Sequence, residues 1–186
     1  MAWPLTGLMA LTVLTIMASC SLDCTLPRTY MQWNTTALRP QDKMNRTIPF
    51  SCLKHRQDFG LALLDFDGKQ VQKTQALSVL HEMTTQSLNF LSQNSHAAWN
   101  QSVLRTFCDA LRDQMNDLKA CLTKETGLED PSLLHEDSRN AVKKYFRGIT
   151  DYLKEKSYSP CAWEVVGAEF FRSFSSSEEL WRKMQD

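Results

Sequence analysis

Two stretches carry residue types that could do chemistry. His81-Glu82-Met83-Thr84-Thr85 opens like the helical zinc-protease motif, in which two histidines one turn apart hold the metal and the glutamate activates water. The position of the second histidine is Thr85, so a metal there would lack a ligand. Asp65-Phe66-Asp67-Gly68 has the start of a calcium loop, yet neither a third oxygen ligand before the glycine nor a closing glutamate follows. A turn ahead of a helix accounts for those residues. No glycine-rich phosphate loop and no Gly-x-Ser-x-Gly elbow occurs. His55, His81, His96 and His135 fall one to an element, so no local pairing of cysteine with histidine supports a nucleophile. The reading is of a non-enzyme with no catalytic residue, no metal and no cofactor.

The remaining reactive residues are cysteines, and the N-terminus sets their compartment. Leu5 to Ala18 is an uncharged, largely apolar run of 14 residues followed by small residues at Ser19 and Ser21. It reads as the core of a signal peptide, too short to span a bilayer. Cleavage is expected between Cys20 and Asp23, which makes 1–23 the leader and 24–186 a single secreted domain without membrane insertion. That mature part would carry 21 basic and 20 acidic side chains, a balance that argues against nucleic acid or an anionic membrane as partner. Five cysteines then remain, Cys24, Cys52, Cys108, Cys121 and Cys161. In an oxidising route four of them should pair, in any of three connectivities, with one thiol left over. Zinc is the weaker reading, because no Cys-x-x-Cys spacing exists. Asn34-Thr35-Thr36, Asn45-Arg46-Thr47 and Asn100-Gln101-Ser102 are sequons, which makes Asn34, Asn45 and Asn100 candidate glycosylation sites.

The elements that would position these residues are helical. From Lys69 to Asn94, Val71, Leu77, Leu80, Leu88 and Leu91, flanked by Ala76, Met83 and Phe90, recur at helical spacing without glycine or proline. Leu104, Cys108, Leu111, Met115, Leu118 and Leu122 alternate steps of four and three, with Ser95 as a candidate N-cap. Val142, Tyr145, Phe146, Ile149, Tyr152 and Leu153 mark a third helix. A fourth is expected to open at Ser159 and Pro160 and to bury Trp163, Val166, Phe170 and Phe174. Thr29 to Met44 contains Pro40, so a helix there should be short or kinked. Asn45 to Gly68, with Pro49, Gly60 and little helical period, reads as a long overhand loop tethered by Cys52. Gly127 to Pro131 is a break, and Ser132 to Arg139 leads into the third helix. Long helices with long crossovers fit an all-α, up-up-down-down bundle.

Particular segments add a family. Ser159-Pro160-Cys161-Ala162-Trp163-Glu164-Val165-Val166 resembles the start of the last helix of the type I interferons. The likeness continues in Ser51-Cys52-Leu53-Lys54-His55-Arg56-Gln57-Asp58-Phe59-Gly60, in Ala76-Leu77-Ser78-Val79-Leu80-His81-Glu82-Met83, in Ala97-Ala98-Trp99, in Met115-Asn116-Asp117-Leu118 and in Val142-Lys143-Lys144-Tyr145-Phe146. It spans the chain from Cys24-Thr25-Leu26-Pro27 onward and is closest to the alpha type, with departures that suggest a divergent alpha relative or a neighbouring subtype of omega or limitin kind. The departures are Gly167 and Ser176, where alpha members often carry an arginine and a larger apolar residue, Pro40, and the sequon at Asn45.

The resemblance implies a helical cytokine bundle of five helices with bridges Cys24 to Cys121 and Cys52 to Cys161, leaving Cys108 free. It implies a monomeric antiviral ligand that bridges the ectodomains of the two-chain type I interferon receptor and triggers Janus kinase and STAT signalling. The face for the tighter-binding chain maps to Leu53 and Arg56 on the overhand loop and to Ala168, Phe171 and Arg172 on the last helix. The second chain maps to Leu88, Asn89, Val103, Arg112, Lys143 and Lys144. On this reading Phe170 points inward and Phe171 outward, and Arg56 and Arg172 are anchors that can be truncated without loss of stability. Gly167 and Ser176 motivate an alternative, an attenuated or antagonist ligand that engages one chain poorly. On expression in mammalian cells, glycan is expected at Asn100 ahead of Asn34 and Asn45. Intact mass before and after glycosidase treatment checks this ranking, and glycan confined to Asn45 contradicts it.

Overall fold

The computed structural model describes Cys24 and residues 48–61, 72–94, 101–131 and 134–185. The expected leader, Pro40, Asn34, Asn45, Asn100, Val71, Ser95, His96 and the turn expected at Asp65 to Gly68 lie outside these residues, as does the expected first helix. Within them the chain is all-helical. A 3-10 helix, Phe50–His55, precedes four long helices: α1 (Lys73–Gln93), α2 (Gln101–Thr126), α3 (Glu136–Glu155) and α4 (Pro160–Gln185).

Local chemistry sets several helix ends. Gly127 takes φ +67° after α2, where its N–H donates to the Thr123 carbonyl at 2.9 Å, a conformation that penalises any side chain. Glu136 and Asp137 occupy the first turn of α3, facing its positive dipole end. The Ser159 hydroxyl accepts from the Ala162 N–H at 3.3 Å, with Pro160 as the first residue of α4, so this expected cap is observed.

Cross-helix contacts give the directions. Lys73 pairs with Glu125 at the two far ends of α1 and α2 (2.7 Å), so these helices are antiparallel. Tyr145 bonds to Glu169, and Phe146 packs on Phe170 at 5.8 Å between ring centroids, at the middle of α3 and in the first half of α4. With only a short turn between them, α3 and α4 are antiparallel. Thr74 meets His135, Arg139 meets Glu82, and the rings of Phe90 and Phe146 both pack on Phe170, which makes α1 and α3 parallel. Thus α2 and α4 run in one sense and α1 in the other, as an up-up-down-down bundle with an added helix requires.

The core is one cluster drawn from all four helices, with Leu77, Leu80, Leu91, Leu111, Leu118, Ile149, Leu153, Phe170 and Leu180 almost fully buried. Each such side chain contributes roughly 1.5–3 kcal/mol by leaving water. All six residues of the α3 stripe and all four of the α4 stripe are buried. Three expectations need correction. On α2 the buried stripe passes through Phe107, whose ring meets Phe174 edge-on at 5.4 Å, while Cys108 and Met115 are half-buried beside it. On α1 the stripe is wider than its leucines: Ser78, Glu82, Thr84 and Ser87 are buried too, because the helix packs against α2, α3 and α4, while Leu88 lies half-buried at the edge. The overhand loop is not free of helix, since Phe50–His55 forms a 3-10 turn, too short to show a period.

Both bridges are formed, Cys24 to Cys121 and Cys52 to Cys161, across 97 and 109 residues of chain, and Cys108 is the free thiol. Loops of that length correspond to roughly 4–5 kcal/mol each in the chain-entropy account. Burial pushes the Cys108 thiol above its usual range, so it is protonated at neutral pH and a poor nucleophile.

The glutamate of the incomplete zinc motif has a structural task. Glu82 is buried, with one carboxylate oxygen accepting from Gln86 at 2.8 Å and the other from Arg139 Nε at 2.9 Å and from its terminal nitrogen at 2.8 Å. This pair ties α1 to α3, and Thr85, at the missing ligand position, donates its hydroxyl to the His81 carbonyl at 2.8 Å. Arg139→Ala strands the carboxylate and is expected to destabilise the fold by about 3–5 kcal/mol, whereas replacing both partners by apolar residues of similar volume is expected to be close to neutral. Denaturant unfolding of the two variants distinguishes these outcomes.

Candidate functional site

The Cys52–Cys161 bridge brings the Cα atoms of the 3-10 helix and the first turn of α4 to 5.1 Å. Two further contacts dock the same segment. The Tyr152 hydroxyl donates to the His55 carbonyl at 2.7 Å, and the Phe59 ring meets that of Tyr152 edge-on at 5.2 Å. Burial pushes the Tyr152 hydroxyl above its usual range, with Glu155 adding to the effect, so it is a fixed donor at neutral pH. Beside this junction lies an open groove of about 690 Å³ whose walls include Leu53, Arg56, Ala168, Phe171 and Arg172. The five residues from two distant parts of the sequence therefore share one surface feature. Leu53 and Arg56 are exposed, Ala168 half-buried. Phe170 is fully buried, and Phe171 is half-buried against the core with an edge in the groove.

Arg172 is held from below. Its guanidinium donates to Glu169 Oε1 at 2.8 Å, and the same oxygen accepts from the Tyr145 hydroxyl at 2.8 Å. Glu169 and Tyr145 are both buried. Burial first, then the neighbouring Glu169 charge, raises the Tyr145 pKa far beyond the ordinary phenol range, so Tyr145 stays protonated and donates its hydrogen bond to Glu169. On the outer side Asp58 lies 3.5 Å from Arg172. The Gly60 N–H donates to Asp58 at 2.9 Å and, ahead of the attraction of Arg172, lowers its pKa. Gly60 stands at φ +63°, a turn that lets this N–H reach back. Asp58 and Glu169 were absent from the residues expected at this face. The spacing of three between Glu169 and Arg172 on one helix was the available signal, and nothing local indicates that Tyr145 lies beneath.

The second set is spread over three helices. Asn89 of α1, Arg112 of α2, and Lys143 and Lys144 of α3 are exposed, Leu88 is half-buried, and the side chain of Val103 in α2 is outside the described residues. Arg112 pairs with Asp109 at 2.7 Å on its own helix. Leu88, Asn89, Arg112, Lys143 and Lys144 do not line the groove that contains Arg56 and Arg172. Among the described residues no three His, Cys, Asp or Glu side chains converge on a metal-sized site, and no helix is long and apolar enough to cross a membrane.

The profile of the interferon alpha/beta domain matches residues 26–184. Interferon alpha-17 of Homo sapiens is 53% identical over 181 residues, covering 97% of this chain and 96% of the relative. Interferon alpha-1 of Sus scrofa is 51% identical over 179 residues, covering 96% and 95%, and interferon alpha-3 of Equus caballus is 49% identical over 181 residues, covering 97% and 98%. The chain belongs to the interferon alpha/beta family and is a type I interferon of the alpha type, a cytokine with no enzymatic role.

The Glu169 contact alters one expectation. Arg172 cannot be truncated without a structural effect, because Glu169 would keep Tyr145 as its only partner among the bonds described. Arg172→Ala is expected to lower stability by about 1–3 kcal/mol, whereas Arg56→Ala, on an exposed position, should change it by less than about 0.5 kcal/mol. Thermal or denaturant unfolding of the two variants side by side checks the contrast.

Proposed function

We propose that the chain is a secreted, monomeric ligand that bridges the two chains of the type I interferon receptor and so triggers Janus kinase and STAT signalling and an antiviral response. The observation that carries this reading is the convergence of Leu53, Arg56, Ala168, Phe171 and Arg172 on one groove beside the Cys52–Cys161 bridge. Aromatic and arginine side chains around an apolar floor are a composition that dominates binding energy at protein interfaces. The arginines supply charge-assisted hydrogen bonds, and their stems cover apolar surface. Asp58 lowers the net charge of the groove, so an acidic partner must compete with it for Arg172. The face on α1, α2 and α3 takes the second chain through Leu88, Asn89, Val103, Arg112, Lys143 and Lys144. Leu88, Asn89, Arg112, Lys143 and Lys144 lie away from the groove, which allows simultaneous engagement of two partners.

The attenuated reading rests on Gly167. It is a buried position in α4 beside Ala168, where a Cβ meets nothing within 4 Å. Binding to each receptor ectodomain, measured by surface plasmon resonance, tests both readings. Arg56→Ala is expected to weaken the tighter chain by about 30-fold to 1,000-fold, mainly through faster dissociation, and to leave the second chain unchanged. Near-unchanged dissociation rejects this face. Gly167→Arg is expected to tighten the same interaction if the native chain is attenuated there.

A further inference from the structure

Beneath the groove of Arg56 and Arg172, two donors from different helices share one oxygen. Glu169 Oε1 accepts from the Tyr145 hydroxyl of α3 and from Arg172 Nη2 of α4, each at 2.8 Å. The three side chains differ in what a partner protein can touch. Tyr145 is 3% exposed and is not among the residues lining the groove, whereas the Arg172 side chain is 51% exposed on its wall. The Tyr145 ring is fixed by its own helix and the core, since it meets the Phe146 ring edge-on at 5.2 Å and Phe146 in turn packs on Phe170. Position is therefore passed from the core to the phenol, from the phenol to the carboxylate, and from the carboxylate to the guanidinium.

We infer that Tyr145 and Glu169 are positioning residues of the receptor face: Tyr145, buried from any partner, orients the Glu169 carboxylate, which holds the Arg172 guanidinium in the geometry that the tighter-binding chain engages. The inference rests on the receptor reading above and adds to it a residue of α3 that does not belong to the face. An arginine is long and rich in rotamers, so one that is free in the unbound protein loses that freedom on association. Arg172 is held before the partner arrives, by a charge-assisted bond to a carboxylate that is itself fixed. Asp58 acts on the same nitrogen from the solvent side, at 3.5 Å and with a side chain 82% exposed. An exposed pair of this kind is a weak tether. A guanidinium released from below is consequently drawn toward the loop and spends less time in the engaged geometry. The hydroxyl of Tyr145 is the decisive atom, because Tyr145→Phe keeps the buried ring and removes only the donor.

Surface plasmon resonance against each receptor ectodomain, together with 15N relaxation of the Arg172 Nε–Hε group in the free protein, tests the inference. Tyr145→Phe is expected to weaken the tighter chain by about 2-fold to 10-fold, to leave the second chain unchanged, and to lower the order parameter of the Arg172 Nε–Hε group. Glu169→Gln, which keeps an acceptor oxygen in place, is expected to weaken the same interaction less than Glu169→Ala. In an Arg172→Ala background Tyr145→Phe is expected to cause no further loss, because the phenol acts only through that guanidinium. A loss of equal size in that background, or equal weakening of both receptor chains, assigns Tyr145 a general structural role and overturns the inference. An unchanged Arg172 order parameter, or unchanged affinity in Tyr145→Phe while Arg56→Ala weakens binding, overturns it and leaves the receptor face standing. Affinity unchanged in Arg56→Ala, Arg172→Ala and Tyr145→Phe alike rejects the face itself and the inference with it.

Discussion

The bridge between Cys52 and Cys161 joins a loop that has little helical periodicity of its own to the first turn of α4. Six residues of 3-10 helix bury little besides Cys52 itself, so the segment cannot hold its place through apolar contact alone. The disulfide supplies the tether, and Tyr152 supplies the orientation through the His55 carbonyl and the Phe59 ring. With the loop fixed in this way, Leu53 and Arg56 stand opposite Ala168, Phe171 and Arg172 across one groove. Without it, the two halves of the face are separate surfaces.

A second constraint works from inside the bundle. The buried Glu169 receives hydrogen bonds from Tyr145 on α3 and from Arg172 on α4. An internal carboxylate with two donors is tolerable where one donor carries charge. The consequence is a guanidinium whose position at the surface is set by the packing of two helices, which reduces the side-chain entropy lost when a partner binds. The Glu82 and Arg139 pair does comparable work between α1 and α3, away from the groove. On the proposed reading, stability and recognition share residues at Arg172 and are separable at Arg56.

How much of this was legible in sequence follows from which forces are local. Helix identity was readable wherever one face alone is buried, as in α3, where every expected core residue from Val142 to Leu153 is buried. It was less readable in α1, because a helix packed on three neighbours buries Ser78, Glu82, Thr84 and Ser87 as well as leucines, and period alone underestimates such a stripe. On α2 a shift of one residue separates Phe107 from Cys108, and only the Phe174 ring decides between them. The cysteine pairing was open from spacing and closed by family resemblance. The groove residues came from the same resemblance, whereas Asp58, Glu169 and Tyr145, which set the charge and position of Arg172, depend on contacts between distant segments that no local pattern encodes.

The central claim is that pinning the loop to α4 creates the face for the tighter-binding receptor chain. Affinity for that chain's ectodomain, compared between Cys52→Ser/Cys161→Ser and Cys24→Ser/Cys121→Ser under conditions where both variants are folded, tests it most directly. Loss of the Cys52–Cys161 bridge is expected to weaken binding by about tenfold or more beyond the loss of the other, as ordering a freed loop on association demands. Equal affinities in the two variants, or a larger loss from the Cys24–Cys121 pair, contradict the claim.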